Sequence, residues 1–546
     1  MRADSQTTVE GGAPDRERYP LFVVCIFAVL TVGSMVVSCL RATDGRLIYA
    51  LDDAYIHLAI SQTLAETGTL GVNAATPCAA SSSPAWTLLL AGVFSVTGVL
   101  EWLPLAINLL AVIVIIILAD HALRVHFHLP AVPRCIALVA VVLCTPLGPL
   151  AMVGMEHLLH VAAVLALVSY ALGPNASPVA LGVLAALATA LRLESSFVVF
   201  VLAALKLARH DWRAAAGLVC GAGLAVLLPG LWQMSQGHSF LANSLMVKGV
   251  GKSGLGEWID LHVQRLLVNF RDAPSTGPLI IAAIGALWWT ASRSRCPRVA
   301  GDWLLVLLGS ALFHMTLAKT GWFLRYEAYL ITLALVSAAP PVSAMVLASF
   351  DRLRADTENR ASAAALLALA LMVPCLALTP RMVLYQNTPR ACRSIYLQQW
   401  QMARFMGAYY RSDPIAVNDL GAVAYMVDGP ILDVWGLAST DVAEAMLQGR
   451  WDAEFISKAA KERGVKVAVV YDLAVIPRDW PVAATWTIPH RGTCYDHTIY
   501  FHAVEPAELP VLVSRLKAFE LLLPPAVRVE YPGAGFAPPG LKTALP

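Results

Sequence analysis

Apolar runs recur along the chain, separated by short polar, turn-rich breaks. They fall at 21–40, 103–120, 135–151, 157–172, 178–192, 195–208, 214–232, 277–291, 303–318, 327–348 and 362–379. This pattern predicts about eleven helices of near-spanning length. A further apolar run, 85–99, could add one more, and one extra crossing would invert everything after it. The basic residues decide. With 85–99 in the interface, Arg124, Arg134, Lys206, Arg209, Arg213, Arg293, Arg295, Arg298, Arg352, Arg354 and Arg360 all fall on the side of Arg16 and Arg18. The positive-inside rule makes that side cytoplasmic. We therefore expect a cytoplasmic tail at 1–20, a retained signal-anchor helix at 21–40 and an interfacial helix at 85–99. The transmembrane domain runs over 21–380, with a first extracytoplasmic loop at 41–102.

After residue 380 the pattern changes. Strand-like runs at 414–417, 431–436, 465–472 and 498–504 alternate with helix-like stretches at 440–463 and 506–523. Such alternation predicts a small α/β domain over 381–546, placed outside, ending in a loose Pro- and Gly-rich tail. No glycine-rich phosphate loop opens any of its helices, and the chain carries no internal repeat.

Composition agrees with the spans. Of 546 residues, 58% are hydrophobic and 14% charged, well short of the roughly one-quarter charged of a soluble domain. A net charge of +2 gives no electrostatic footprint for nucleic acid. The ten cysteines form no CxxC pair and no zinc spacing. A Cys392–Cys494 disulfide is admitted if both lie outside.

The predicted topology collects the unusual polar residues at the outer helix ends, where ionisable groups next to a bilayer are costly and tend to mark function. Asp52 and Asp53 are the strongest signal. A carboxylate can take the proton of an acceptor hydroxyl, and a second acid beside it can tune the first or orient a sugar. The competing reading is a helix N-cap with an acidic first turn. His57 lies one turn on, and there the competing reading is a ring facing the headgroups. Ser82 and Ser83 could line a polar pocket or simply precede the 85–99 helix. Glu156 could hold Arg192 or bind a sugar hydroxyl. Arg192 and Glu194 share the next outer turn, too close in sequence to face each other on a helix. Asn243 and Lys248 follow in FLANSLMVKG. Then come Arg325, Tyr326 and Glu327 in WFLRYEAY. Lys248 and Arg325 suit a lipid phosphate, because fixed cations favour a leaving group that gains negative charge; the competing reading is ordinary attraction to anionic lipids. In the soluble segment Asp419 and Asp428 read as turn residues; Asp433 reads the same way or reaches the acceptor.

In their order, DDAYI (52–56), SSSPAWTLL (81–89), GMEHLL (154–159), LRLES (191–195), ANSLMVK (242–248), FLRYEAYL (323–330) and LDVWGLAS (432–439) resemble the GT-C class of integral-membrane glycosyltransferases. The likeness is nearest to the mycobacterial arabinofuranosyltransferases that add terminal β-(1→2) residues. The resemblance implies a GT-C-like fold, a polyprenyl-phosphate sugar as donor, inversion at the anomeric carbon, and a glycan, lipid or protein hydroxyl as acceptor. It makes Asp52 or Asp53 the base and sets Lys248 and Arg325 toward the donor phosphate. The remaining polar residues named above would contact substrate. Leu193 and His57 depart from the family's usual residues. A bacterial inner membrane with the site outside implies no nucleotide and no cofactor. The acidic pair admits a divalent metal, which two acids alone do not specify. The rival class is a transporter of a lipid-linked saccharide, against which stand the one-sided charges and the missing repeat.

Overall fold

The computed structural model describes residues 14–243, 255–272, 277, 284–285, 298–355 and 360–532. The membrane part is helical: α1 (Pro14–Ala42), α2 (Asp53–Thr67), α3 (Pro84–Thr97), α4 (Leu103–His121), α5 (Ala131–Cys144), α6 (Leu147–Ala151), α7 (His157–Ala171), α8 (Pro178–Leu191), α9 (Ser195–Ala208), α10 (Trp212–Ser235), α11 (Leu255–Asp272), α12 (Arg298–Leu317), α13 (Ala328–Ala355) and α14 (Arg360–Leu397). Among the described residues five helices, α1, α4, α10, α12 and α13, are long and apolar enough to cross a bilayer. The chain is a multi-pass membrane protein.

The expected runs are thus of two kinds. α3, α5, α7, α8 and α9 are apolar but only 14 or 15 residues long. At 1.5 Å per residue they rise roughly 21–23 Å, short of the hydrocarbon thickness of about 30 Å. The run at 135–151 is divided, because Pro146 cannot continue α5 and α6 takes up the rest. The run at 277–291 lies almost wholly outside the described residues. The run at 362–379 sits within α14, which continues unbroken to Leu397. α8 and α10 approach backbone to backbone. A Cβ at Gly221 would sit 2.0 Å from the Gly182 carbonyl oxygen, and one at Gly217 2.2 Å from that of Pro178. Glycines four residues apart open that close crossing.

α14 leads through α15 (Gln399–Tyr409) into the soluble domain. Its other elements are β3 (Ile415–Val417), α16 (Gly421–Met426), β4 (Ile431–Asp433), α17 (Thr440–Leu447), α18 (Ala453–Glu462), β5 (Val467–Val470), β6 (Val482–Thr487), β7 (Thr498–Ala503), α19 (Leu509–Glu520) and β8 (Arg528–Glu530). Six strands form one sheet in the order β4-β3-β5-β7-β6-β8, with β3 parallel to β4 and β5 and the rest antiparallel. The α/β expectation holds. The stretch 440–463 is two helices, parted at Gly449 in the left-handed region (φ 66°), with Asp452 capping the second through the Phe455 N–H (2.8 Å). β6 and β8 come without a clear signal in the sequence. Phe405 of α15 is fully buried against Phe501, Trp486 and Phe519, and Trp486 and Phe519 stack at 5.9 Å. Cys392 and Cys494 are both free and buried, and the Cys494 thiol donates to Gln399 Oε1 (3.2 Å); the admitted disulfide is absent.

The first loop is wedged against this domain. It forms a small hairpin, β1 (Gly71–Asn73) and β2 (Thr76–Pro77). Asn73 Nδ2 donates to the Val427 and Gly429 carbonyls (3.1 and 2.9 Å), and Thr76 Oγ1 accepts from the Ile431 N–H (2.9 Å). Thr493 Oγ1 donates to the Ala50 carbonyl (2.7 Å).

Phe405→Ala should cost the soluble domain about 3–5 kcal/mol, read as a lowered thermal midpoint. Burial pushes the His502 imidazole, 3.1 Å from the Trp480 carbonyl, down to about 4. The unfolded chain takes that proton near pH 6.5, so this contribution to stability is present above that value and lost as pH falls toward about 4. Denaturation midpoints of full-length protein, followed by tryptophan fluorescence, should fall across that window, with a smaller fall in His502→Gln.

Candidate active site

The two acids at the start of α2 have separate partners. Asp52 stands at the N-cap position but makes no side-chain cap bond to its own helix. Its carboxylate instead receives the N-terminus of α16: the Gly421 N–H donates to Oδ2 (2.6 Å) and the Ala422 N–H to Oδ1 (2.9 Å). Position 421 needs glycine. A Cβ there would lie 2.1 Å from the Asp52 carbonyl oxygen and 2.7 Å from Oδ2. The contact brings Asp419, two residues upstream, beside the acidic pair. Asp419 accepts from Gln399 Nε2 (2.5 Å), the Tyr471 hydroxyl (2.6 Å) and Asn418 Nδ2 (3.1 Å). Burial, and then the Asp419 charge, push Asp52 above the usual carboxylate range against the pull of its two N–H donors. Asp419 is raised too, chiefly by burial.

Asp53 faces the other way. Its side chain is 39% exposed, and its Oδ2 lies 2.5 Å from Nη2 of Arg325, itself 3% exposed. Arg325 also donates to the Tyr326 hydroxyl (3.0 Å) and to Met155 Sδ (3.2 Å). The turn that carries it is unusual. Trp322, Phe323 and Leu324 all have positive φ (39°, 68° and 55°), at roughly 1–2 kcal/mol each. Glu327 helps hold that turn, accepting the Gly321 N–H (3.1 Å) while fully buried. That bond engages Oε2, while Oε1 is buried without a hydrogen-bond partner.

Tyr326 links the two arginines: Arg325 lies 4.9 Å from its ring centroid and Arg192 5.3 Å. α8 stops at Leu191, and Arg192 is extended (φ −152°, ψ 127°). That break overturns the expectation that Arg192 and Glu194 cannot face each other. They form a two-bonded pair, at 2.6 and 3.2 Å. Arg192 Nη1 also donates to Glu156 Oε1 (3.2 Å) and reaches Ser82 Oγ (3.5 Å). Glu156 is fully buried, its second oxygen 3.9 Å from His57 Nε2. His57 is buried beneath the pair and does not face headgroups. Asp53, Arg325, Tyr326, Arg192, Glu194, Glu156, His57 and Ser82 therefore make one network.

Other expected residues lie apart from it. Ser83 is buried where α3 begins, its N–H given to Ser81 Oγ. Asn243 ties the two domains, its N–H to the Ala79 carbonyl (2.9 Å) and Nδ2 to Leu437 O and Thr440 Oγ1 (3.3 and 3.1 Å). Asp433 builds its own turn, accepting the Trp435 and Ala438 N–H groups (both 2.9 Å), and burial pushes it up to about 6. Lys248 lies outside the described residues. Among the described residues no three His, Cys, Asp or Glu side chains are arranged to hold a metal. Asp419, read as a turn residue, is the one that sequence reasoning missed. It follows the carboxyl end of β3, the strand between β4 and β5, where open α/β sheets place their ligands.

Residues 392–501 match a domain of unknown function (DUF8728). No curated protein matches the sequence. Among solved structures, the chain is similar to ArnT from Cupriavidus metallidurans bound to undecaprenyl phosphate. Identity is 15%, with 88% of this chain and 98% of that one covered and a TM-score of 0.53. An oligosaccharyltransferase of Archaeoglobus fulgidus in the apo form aligns at 13% identity over 91% of this chain and 75% of its own, TM-score 0.49. The likeness to ArnT establishes a GT-C-like fold.

Gly421→Ala should force α16 off Asp52 and open the junction between the domains. Limited proteolysis of the full-length protein should then cut between 410 and 430 faster than in wild type, with helical content unchanged.

Proposed function

We propose that this chain is a membrane glycosyltransferase that moves a sugar from a polyprenyl-phosphate donor to a hydroxyl acceptor, with Asp53 as the base. The observation that carries the reading is the pairing of a part-exposed carboxylate, Asp53, with a buried guanidinium, Arg325, at 2.5 Å. Asp52 suits the base less well, since both its oxygens are taken by backbone N–H groups. The fold neighbour ArnT, solved with undecaprenyl phosphate bound, supports a lipid phosphate as the donor class.

The chemistry follows from charge. Arg325 neutralises Asp53. A donor phosphate competes for that guanidinium and frees the carboxylate. The acceptor oxygen then attacks the anomeric carbon as its proton passes to Asp53, and the bond from that carbon to the phosphate oxygen breaks. The configuration inverts. The leaving polyprenyl phosphate gains one negative charge, which Arg325 meets. Arg192, anchored by Glu156 and Glu194, keeps Tyr326 and hence Arg325 in place. The distribution of basic loops supports an extracytoplasmic site, with the C-terminal α/β domain on the same side. The short motifs shared with terminal β-(1→2) arabinofuranosyltransferases make an arabinofuranosyl donor the first to try.

Proteoliposomes given radiolabelled polyprenyl-phosphate sugars, arabinofuranose included, test this. Asp53→Asn should lower transfer roughly 10²–10⁴-fold and Arg325→Ala about 10²–10³-fold. Asp52→Asn, which keeps one acceptor oxygen for α16, should lose far less. Full turnover by Asp53→Asn would remove the assigned base. Passage of intact lipid-linked sugar across the bilayer without transfer would make the chain a transporter.

A further inference from the structure

α11 (Leu255–Asp272) has three faces. His262, Arg265, Leu266 and Asn269 form the covered stripe. Val263, Leu267 and Phe270, at i, i+4 and i+7, form a second, apolar and 50%, 65% and 43% exposed. Asp260, Gln264 and Arg271 form a third, polar and exposed. Gln264 donates to Asp260 within it (2.8 Å). Exposed Val268 and part-buried Leu261 fall outside this division, together at the far border of the polar stripe.

The covered stripe is bonded to one place. Asn269 Nδ2 donates to the Met315 and Ala318 carbonyls (2.9 and 2.8 Å), and Arg265 Nη1 to that of Leu317 (3.0 Å). His262 Nδ1 lies 3.0 Å from the Thr316 carbonyl. Those are carbonyls at the end of α12, where a helix has no bonds of its own to offer. α12 is one of the five long apolar helices, and Leu312 and Leu317 on it are exposed. α11 thus crosses the end of a membrane helix, with an apolar face and a polar face both open. Thr320 Oγ1 donates to Asn269 Oδ1 (3.0 Å), and Trp322, two residues on, is 52% exposed. Tryptophan is favoured where hydrocarbon meets headgroup.

We propose that α11 lies in the plane of the membrane surface with Val263, Leu267 and Phe270 among the acyl chains of the bilayer. We further propose that this seating sets the height of the 318–327 turn and so of Arg325. Bilayer lipid is the occupant the geometry favours, because α11 is bonded to the end of a helix long and apolar enough to cross a bilayer, at exposed Leu317, and its apolar stripe is bordered by polar residues. The proposal stands whether or not the chain transfers sugar.

The test uses the full-length protein in nanodiscs, with an environment-sensitive fluorescent amino acid installed by amber suppression at 263, 267, 270, 264 or 322. Lipids carrying a nitroxide near the headgroup or near the chain end, and aqueous iodide, serve as quenchers. At 263, 267 and 270 the shallow nitroxide should quench at least about threefold more than the deep one, with iodide excluded; at 264 iodide should dominate. The paired change Val263→Glu with Leu267→Glu should raise iodide quenching at both 270 and 322. Protection from iodide with no nitroxide quenching at 263 and 267 would mean a protein covers the face. Stronger quenching by the deep nitroxide would mean a spanning helix. Unchanged quenching at 322 in the paired variant would separate the turn from the helix. Any of these three overturns the proposal.

Discussion

Two carboxylates adjacent in sequence at the edge of a bilayer repel each other and resist burial, so each needs a partner of its own. Asp52 and Asp53 divide the partners between the two halves of the molecule. Asp52 goes to backbone N–H groups of the soluble domain, and Asp53 to a guanidinium of the membrane domain. Much of the rest depends on that division. It fixes where α2 begins, requires glycine at 421, and brings Asp419 within the field of the pair. It also calls for a cation at the head of α13, delivered by a strained left-handed turn.

The short helices answer a second constraint. α7, α8 and α9 are too short to carry their polar ends clear of the hydrocarbon, so those ends must be satisfied within the protein. Glu156, Arg192 and Glu194 do this for one another. A buried triad of this kind is poor evidence for stability, since desolvation offsets most of the attraction. Its value lies in orientation. With both carboxylates engaged, the Arg192 guanidinium is held over the Tyr326 ring, whose hydroxyl accepts from Arg325. The geometry of the arginine at the acidic pair is therefore set by residues in three different helix ends.

What could be read from the sequence follows from how each signal is written. Continuous apolar runs and charges interrupting them are local, so the membrane domain and most residues of the network are legible in the sequence. Pairings across the chain were not. Asp419 looks like any aspartate after a strand until Gly421 meets Asp52. Arg192 and Glu194 cannot pair on a continuous helix, and they pair here because the backbone at Arg192 is extended. α11 escaped notice because its apolar residues are spread at helical spacing through a polar segment rather than gathered in a run. Backbone N–H groups take both oxygens of Asp433 but only one of Glu327, and a residue type alone does not tell which of its oxygens are spent.

The kind of partner each oxygen has is what separates the two members of the acidic pair. Both are carboxylates, one residue apart. A base must release its resting partner when substrate arrives. Asp52 could do so only by parting two domains, because its partners are the N–H groups of a helix packed on the first loop. Asp53 is engaged by the Arg325 side chain, whose charge a phosphate can match, so on the proposed reading an anionic ligand frees it by exchange without parting the domains. On the proposed reading, the arginine–carboxylate pair is thus at once a rest position for the base and a receptor for the anion that releases it.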